Sequence, residues 1–246
     1  MYGKRLRALS LTTFAALTLT LVLVFFWAPN DADQGFLQKI IYIHVPLAII
    51  TLCGFIFGAV AAIAHLRTRD PRWDMRSYVA IHISLVFGVG VLITGSIWAK
   101  GSWGHWWVWS EPTLVSFLLV MLLYATYQPL RFAIEDPERQ ARSASVFAIT
   151  AGCFVPINFA IVRLSTAYVH PRLGSGSLPG RMGVVFALAI VAIALLWITL
   201  WRYEMTSKHA GAQLRALKRL LGGDEDDAAP LRRSAAPSVT HLGGVS

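Results

Sequence analysis

Apolar residues run through most of this chain in long blocks, broken by short polar segments. The blocks lie at about 9–27, 41–64, 78–98, 113–130, 144–163 and 182–201, each about 18 to 24 residues long. That length crosses a hydrocarbon layer of about 30 Å at about 1.5 Å per helical residue. The apolarity is unbroken rather than alternating, which predicts helices and argues against a β-barrel. The pattern therefore predicts an all-α integral membrane protein, with six transmembrane helices in residues 1–204. Residues 205–246 read as a tail. In it Leu214, Leu217, Leu220 and Leu221 have the spacing of a short amphipathic helix among basic residues. The acids Asp224 to Asp227 and an Ala/Pro/Ser/Gly-rich end follow, a composition that predicts disorder.

Composition agrees with the pattern. Of 246 residues 56% are hydrophobic and 14% charged, where a soluble domain carries about 25% charge. The net charge of +9 sits mostly between the apolar blocks, so it orients a membrane protein and gives no reason to propose nucleic acid. Lys4, Arg5 and Arg7 precede the first block. Arg67, Arg69, Arg72 and Arg76 lie in the 65–77 link, and Arg131, Arg139 and Arg142 in the 131–142 link. The tail is also basic, whereas the other three links hold only Lys39, Lys100, Arg172 and Arg181. The positive-inside rule then places both termini in the cytoplasm, and the 28–40 link, the segment after span three and the 164–181 link on the outer face of the cell inner (cytoplasmic) membrane. The first block is longer than a signal-peptide core and ends at Trp27-Ala28-Pro29, so it reads as an uncleaved span. Cys53 and Cys153 form no CxxC motif and read as small packing residues. With no nucleotide-binding motif in the chain, the energy for any transport must come from a partner.

The chemistry concentrates on the outer side. Four of the nine tryptophans fall within Trp103-Gly104-His105-Trp106-Trp107-Val108-Trp109, and Trp98 is close by. An aromatic belt would spread such residues over several helix ends; clustered, they suit a platform for a flat apolar ligand. Two readings of the segment stand. If helical, Trp103, Trp106 and Trp107 share a side; if extended, Trp103, His105, Trp107 and Trp109 share a face. Two further segments lie at similar depth: Tyr42-Ile43-His44-Val45-Pro46, with Pro46 placed in a first helical turn, and Tyr168-Val169-His170-Pro171. Two imidazoles on opposite faces complete a six-coordinate porphyrin iron, so His44 and His170 are candidate ligands. The alternative is that each is an interfacial histidine bonded to backbone or water, and His105 is the reserve candidate. His82 lies at the cytoplasmic end of span three. Arg163 either snorkels or faces an anionic ligand group. Asn158 is expected to make an interhelical hydrogen bond. Glu111 reads as an outward loop acid at a helix start, with orientation of a histidine or of a partner as the alternative.

These residues resemble the haem exporter protein C family (CcmC) of cytochrome c maturation. The tryptophan segment resembles that family's signature, Tyr42 to Pro46 its span-two motif, Thr94-Gly95-Ser96-Ile97-Trp98-Ala99-Lys100 the lead-in, and Asn158 to Pro171 its fifth span and following loop. The likeness covers about residues 36 to 200. It implies a non-enzymatic protein that binds haem b on the outer face, with His44 and His170 as iron ligands. Trp103, Trp106, Trp107 and Trp109 would form the platform. It further implies delivery to a membrane-anchored haem chaperone, CcmE, alongside the ATP-driven transporter subunits CcmA and CcmB and a small accessory membrane subunit. The chain departs from the family pattern at Ser110, where aspartate is usual, and at Pro112, where a basic residue is usual; Glu111 stands between them. A histidine is common where Arg163 stands. These changes point to an altered chaperone contact, with Glu111 as a surface carboxylate that steers the partner. The rivals are a ligase-side relative that presents haem to apocytochrome, a respiratory haem b subunit and a small-solute permease. Ligase-side relatives are longer, with more spans; a haem b subunit would need deep histidines, of which His82 is the one candidate; a permease leaves the tryptophans as a belt.

Overall fold

The computed structural model describes residues 3–166, 169–170 and 180–232, with backbone alone for residue 162 and residues 222–232. It is all-α. Helix α1 (Lys4–Phe26) is followed by a 3-10 turn (Phe36–Ile40) that leads directly into α2 (Ile41–Thr68). Then come α3 (Pro71–Trp103), α4 (Pro112–Ala125), the short α5 (Tyr127–Phe132), α6 (Pro137–Leu164) and α7 (Gly180–Arg232). Among the described residues six helical stretches are long and apolar enough to cross a membrane, with α4 and α5 together making the fourth.

The helices outrun the apolar blocks. The expected 65–77 link shrinks to Arg69 and Asp70, because intrahelical hydrogen bonding carries on through polar residues beyond the apolar layer. Arg69 closes α2 with φ 55°, its N–H donating to the His65 carbonyl. Asp70 then starts α3. Three helices begin with an acid followed by proline: Asp70-Pro71, Glu111-Pro112 and Asp136-Pro137. Each acid accepts from the N–H two residues on, at 2.8 Å (Arg72), 3.4 Å (Thr113) and 3.1 Å (Glu138). Proline suits the first helical position, where no amide is needed. Pro129 has no N–H to offer the Ala125 carbonyl, which accounts for the interruption between α4 and α5. Pro46 is not in a first turn as expected. The 3-10 turn extends the helical run ahead of it, and Pro46 is buried inside α2.

The core lies where α2, α3, α4, α5 and α6 meet. Phe55 stacks on Tyr124 with ring centroids 3.8 Å apart, beside Ile81, Val120, Ala148 and Val155. Small residues set the close approaches: Gly58 faces Ile81, and Gly152 faces Ala59. In lipid, such packing replaces the hydrophobic effect as the cohesive force between helices. Helix α1 is tied to α7 by hydroxyl pairs, Thr13 with Thr199 at 2.7 Å and Ser10 with Tyr203 at 2.9 Å. Lys39 is not a free link charge. Its ammonium is buried and donates to the Val24 and Ala28 carbonyls at 2.6 and 3.1 Å, satisfying the end of α1. Arg131 is likewise buried, in a fork-to-fork pair with Asp74 at 2.7 and 2.6 Å.

Cys53 and Cys153 are free and exposed rather than packed inside; a small, weakly polar thiol is as compatible with a lipid-facing position as with a core. The chain divides into two compact units, Met1–Met205 and Thr206–Ser246. In the second unit α7 continues, with Leu214, Leu217, Leu220 and Leu221 exposed, and runs through the acids at 224–227 to Arg232. The acids at 224–227, expected to open a disordered end, are helical here, since a helix already formed propagates at one bond per residue. Residues 233–246 lie outside the described residues.

Candidate functional site

Helix α3 ends inside the tryptophan segment. Trp103 is its last residue, and Gly104 takes the left-handed conformation (φ 77°) that closes it, donating to the Lys100 carbonyl. Residues 105–110 are irregular, with a turn in which the Glu111 N–H donates to the Val108 carbonyl. Neither uniform reading of the segment holds, because the left-handed glycine separates Trp103 on a helix from Trp106 and Trp107 in a loop.

Those three indoles nevertheless converge on a cavity of about 500 Å³, within the range of pockets that enclose a compact organic ligand, roughly 300–1,000 Å³. Its walls are largely apolar: Val45, Ile49, Val91, Leu114 and Phe117 from α2, α3 and α4. Its polar groups are few: His44, Thr113, Asn158, Arg163 and His170. Trp109 is not among the lining residues. It is 73% exposed and packs at its ring edge against Trp107, with centroids 5.9 Å apart. His105 is exposed and also stays outside. Trp98, the fifth tryptophan of the cluster, also lines the cavity. Its indole N–H donates to the Gln34 side chain at 3.1 Å, fixing it from the 28–40 link.

His44 and His170 come from α2 and from the segment after α6, and both reach this one cavity. His44 Nδ1 lies 3.0 Å from Thr94 Oγ1, and that hydroxyl donates to the Gly90 carbonyl at 2.7 Å. A hydroxyl has one hydrogen, so towards His44 it accepts, which places the imidazole hydrogen on Nδ1. Nε2 then carries the lone pair, the arrangement in which an imidazole coordinates a metal. Gly95 makes room for this ring; a Cβ there would stand 2.7 Å from His44 Cε1. The His170 ring stands edge-on to Trp98 and Trp103, with centroids 6.2 Å away in both cases. Asn158 donates to Ser116 Oγ at 2.8 Å, the expected interhelical bond, and also lines the cavity. Trp107 Nε1 is buried with no hydrogen-bond partner among the described residues. His82 is far from this chemistry: it pairs with Gln128 at 2.7 Å and stacks on Tyr78.

Glu111 is the largest correction. It is not a surface carboxylate but fully buried, at 0% exposure. Beyond its contact with the Thr113 N–H, it accepts from the Val169 and His170 N–H groups at 2.9 and 3.2 Å. Burial follows from these donors, which give a carboxylate the hydrogen bonds it loses on leaving water. A buried acid cannot steer a partner from the surface. The acid-proline pair at a helix start signals its capping role; that it could orient a histidine was open in the sequence, but no spacing points to residues 169–170.

The family model described as heme exporter protein C matches residues 1–219. The chain belongs to this family. It is 31% identical over 199 residues to the heme exporter protein C of Bradyrhizobium diazoefficiens, covering 78% of this chain and 74% of that one. It is 30% identical over 208 residues to that of Paracoccus denitrificans, covering 82% and 86%. A putative cytochrome c biosynthesis ccmC-like mitochondrial protein of Marchantia polymorpha is 35% identical over 138 residues, covering 56% of each chain. Heme exporter protein C is a family of non-catalytic haem-handling proteins.

Proposed function

We propose that this protein binds haem in the tryptophan-walled cavity, on the outer face of the inner membrane, and hands it to a membrane-anchored haem chaperone during c-type cytochrome assembly. One observation carries the reading: two histidines from distant segments reach a single apolar cavity walled by Trp98, Trp103, Trp106 and Trp107. His44 and His170 are the proposed axial ligands, and the indoles cover the porphyrin face. The cavity fits such a cargo in size and polarity, and the Trp107 N–H, without a partner among the described residues, offers it a donor. Arg163 supplies a cation at the wall for an anionic edge of the ligand. The CcmA and CcmB transporter subunits supply energy from outside this chain, with CcmE as the acceptor and a small accessory membrane subunit alongside. The test is titration of the purified protein with hemin, followed by mixing with the chaperone. A Soret band at one equivalent, migrating to the chaperone, is expected. No spectral change on titration refutes the reading.

The Thr94 contact yields a separate prediction. Thr94→Val keeps the shape but removes the acceptor that holds His44 Nδ1. Groups that orient a metal-binding histidine are worth about 10- to 100-fold in affinity, so hemin binding should weaken by roughly tenfold with the protein still folded. Unchanged affinity removes Thr94 from the site.

The distribution of lysine and arginine supports cytoplasmic termini, with residues 1–204 as the membrane body and 205–246 as a cytoplasmic tail. With the exposed Cys53 and Cys153 first replaced, cysteines at positions 105 and 109 should react with an impermeant maleimide in intact cells. Cysteines at 69 and 136 should not. The reverse pattern overturns both topology and site.

A further inference from the structure

One carboxylate joins the start of α4 to the segment that carries His170. Glu111 Oε1 accepts from Thr113 N–H at the start of α4, and Oε2 accepts from the N–H groups of Val169 and His170. The acid lies two residues after Trp109, so it anchors the end of the tryptophan loop to the backbone that carries His170. We infer that Glu111 is a positioning residue for His170, setting where that imidazole stands beside Trp98 and Trp103. The inference rests on the reading of His170 as an iron ligand.

The chemistry requires an acid at this place. Two N–H donors converge on a single oxygen, which needs both lone pairs of Oε2, while a third donor approaches Oε1. A glutamine has one acceptor oxygen and presents its NH₂ to the remaining donors, so donor would face donor. Aspartate is one methylene shorter and cannot reach residues 169–170 while it caps α4 in the same way. Hydrogen bonds to a carboxylate are the strong kind, and this one is buried, where leaving an N–H unpaired is costly.

The test compares wild type, Glu111→Gln, Glu111→Asp and His170→Ala in detergent, first without haem and then titrated with hemin. In the haem-free proteins, amide hydrogen exchange over residues 165–172 reads the proposed bonds directly. Exchange there should rise at least tenfold in Glu111→Gln, while peptides from α2 and α3 keep wild-type rates, which shows that the change is local. On titration, Glu111→Gln should bind hemin roughly tenfold more weakly. Its spectrum should shift towards the high-spin form given by His170→Ala, and added imidazole should restore the low-spin form in both. Glu111→Asp should fall between wild type and Glu111→Gln. Wild-type exchange at 165–172 in Glu111→Gln overturns the inference, as does faster exchange with a wild-type spectrum and affinity. If His170→Ala itself stays low-spin, the ligand reading has failed, and the exchange measurement alone decides whether Glu111 holds this segment.

Discussion

Replacing both His44 and His170 by alanine should abolish specific hemin binding, with either single change leaving a five-coordinate or high-spin species. The two side chains enter one cavity from different elements, so neither can stand in for the other without moving a backbone segment. The single variants should not be equivalent. His44 is held through Thr94 and lies against Gly95 inside a helix, so its loss removes the better oriented ligand. His170 stands on a segment fixed through its backbone by Glu111. Added imidazole should refill the vacancy in each single variant. His82→Ala and Trp109→Ala should bind as wild type does, because His82 pairs with Gln128 and Trp109 faces out of the cavity. Trp107→Ala should weaken retention without changing the ligand set, since the indole supplies area and an N–H rather than coordination. Visible spectra at equal protein abundance decide the matter. A double variant with a wild-type low-spin spectrum would falsify the assignment and return attention to His105.

Asp74→Ala should be the most destabilising single change outside the site. Asp74 and Arg131 form a two-pronged pair whose side chains are only 11% and 9% exposed. Arg131 also donates to Tyr127 at 3.3 Å and lies over the Tyr78 ring. Removing one partner leaves an uncompensated charge among apolar helices, at a cost of about 3–5 kcal/mol. For a body of this size that lowers the thermal midpoint by roughly 10 °C. The double change Asp74→Leu with Arg131→Met removes both charges and should recover most of the loss. Arg131→Lys should not substitute well, because an ammonium cannot make the paired fork. Thermal unfolding in detergent checks the series. Equal midpoints for Asp74→Ala and wild type would mean that the pair contributes nothing to stability.

Neither expectation about Asp74 was visible in the linear pattern. Arg131 stands at the edge of an apolar block, where arginine ordinarily meets headgroups, and Asp74 is 57 residues away. Lys39 was hidden for the same reason. A basic residue between two apolar blocks looks solvated, and its two carbonyl partners belong to the end of the preceding helix. Glu111 is the clearest case. Its role as a helix cap follows from the acid-proline pair, but its contact with residues 169–170 spans 58 and 59 residues, and no local spacing encodes it. Trp98 belongs to the tryptophan cluster by position, but only the fold makes it a wall of the cavity.

Other features follow from local chemistry alone. Six apolar stretches of membrane-crossing length are a property of composition and run length, and lipid leaves the backbone no alternative but to satisfy itself within each helix. The left-handed stop at Gly104 and the acid-proline starts depend on neighbours within a few residues. The sequence by itself thus determined the six membrane-crossing stretches among the described residues and the family. The tertiary structure decided which side chains share a cavity, which tryptophan is left outside, and which charges are buried in pairs. The physical reason is one of range. Helix formation is governed by contacts three or four residues apart, whereas ligand orientation and charge burial depend on groups brought together from distant parts of the chain.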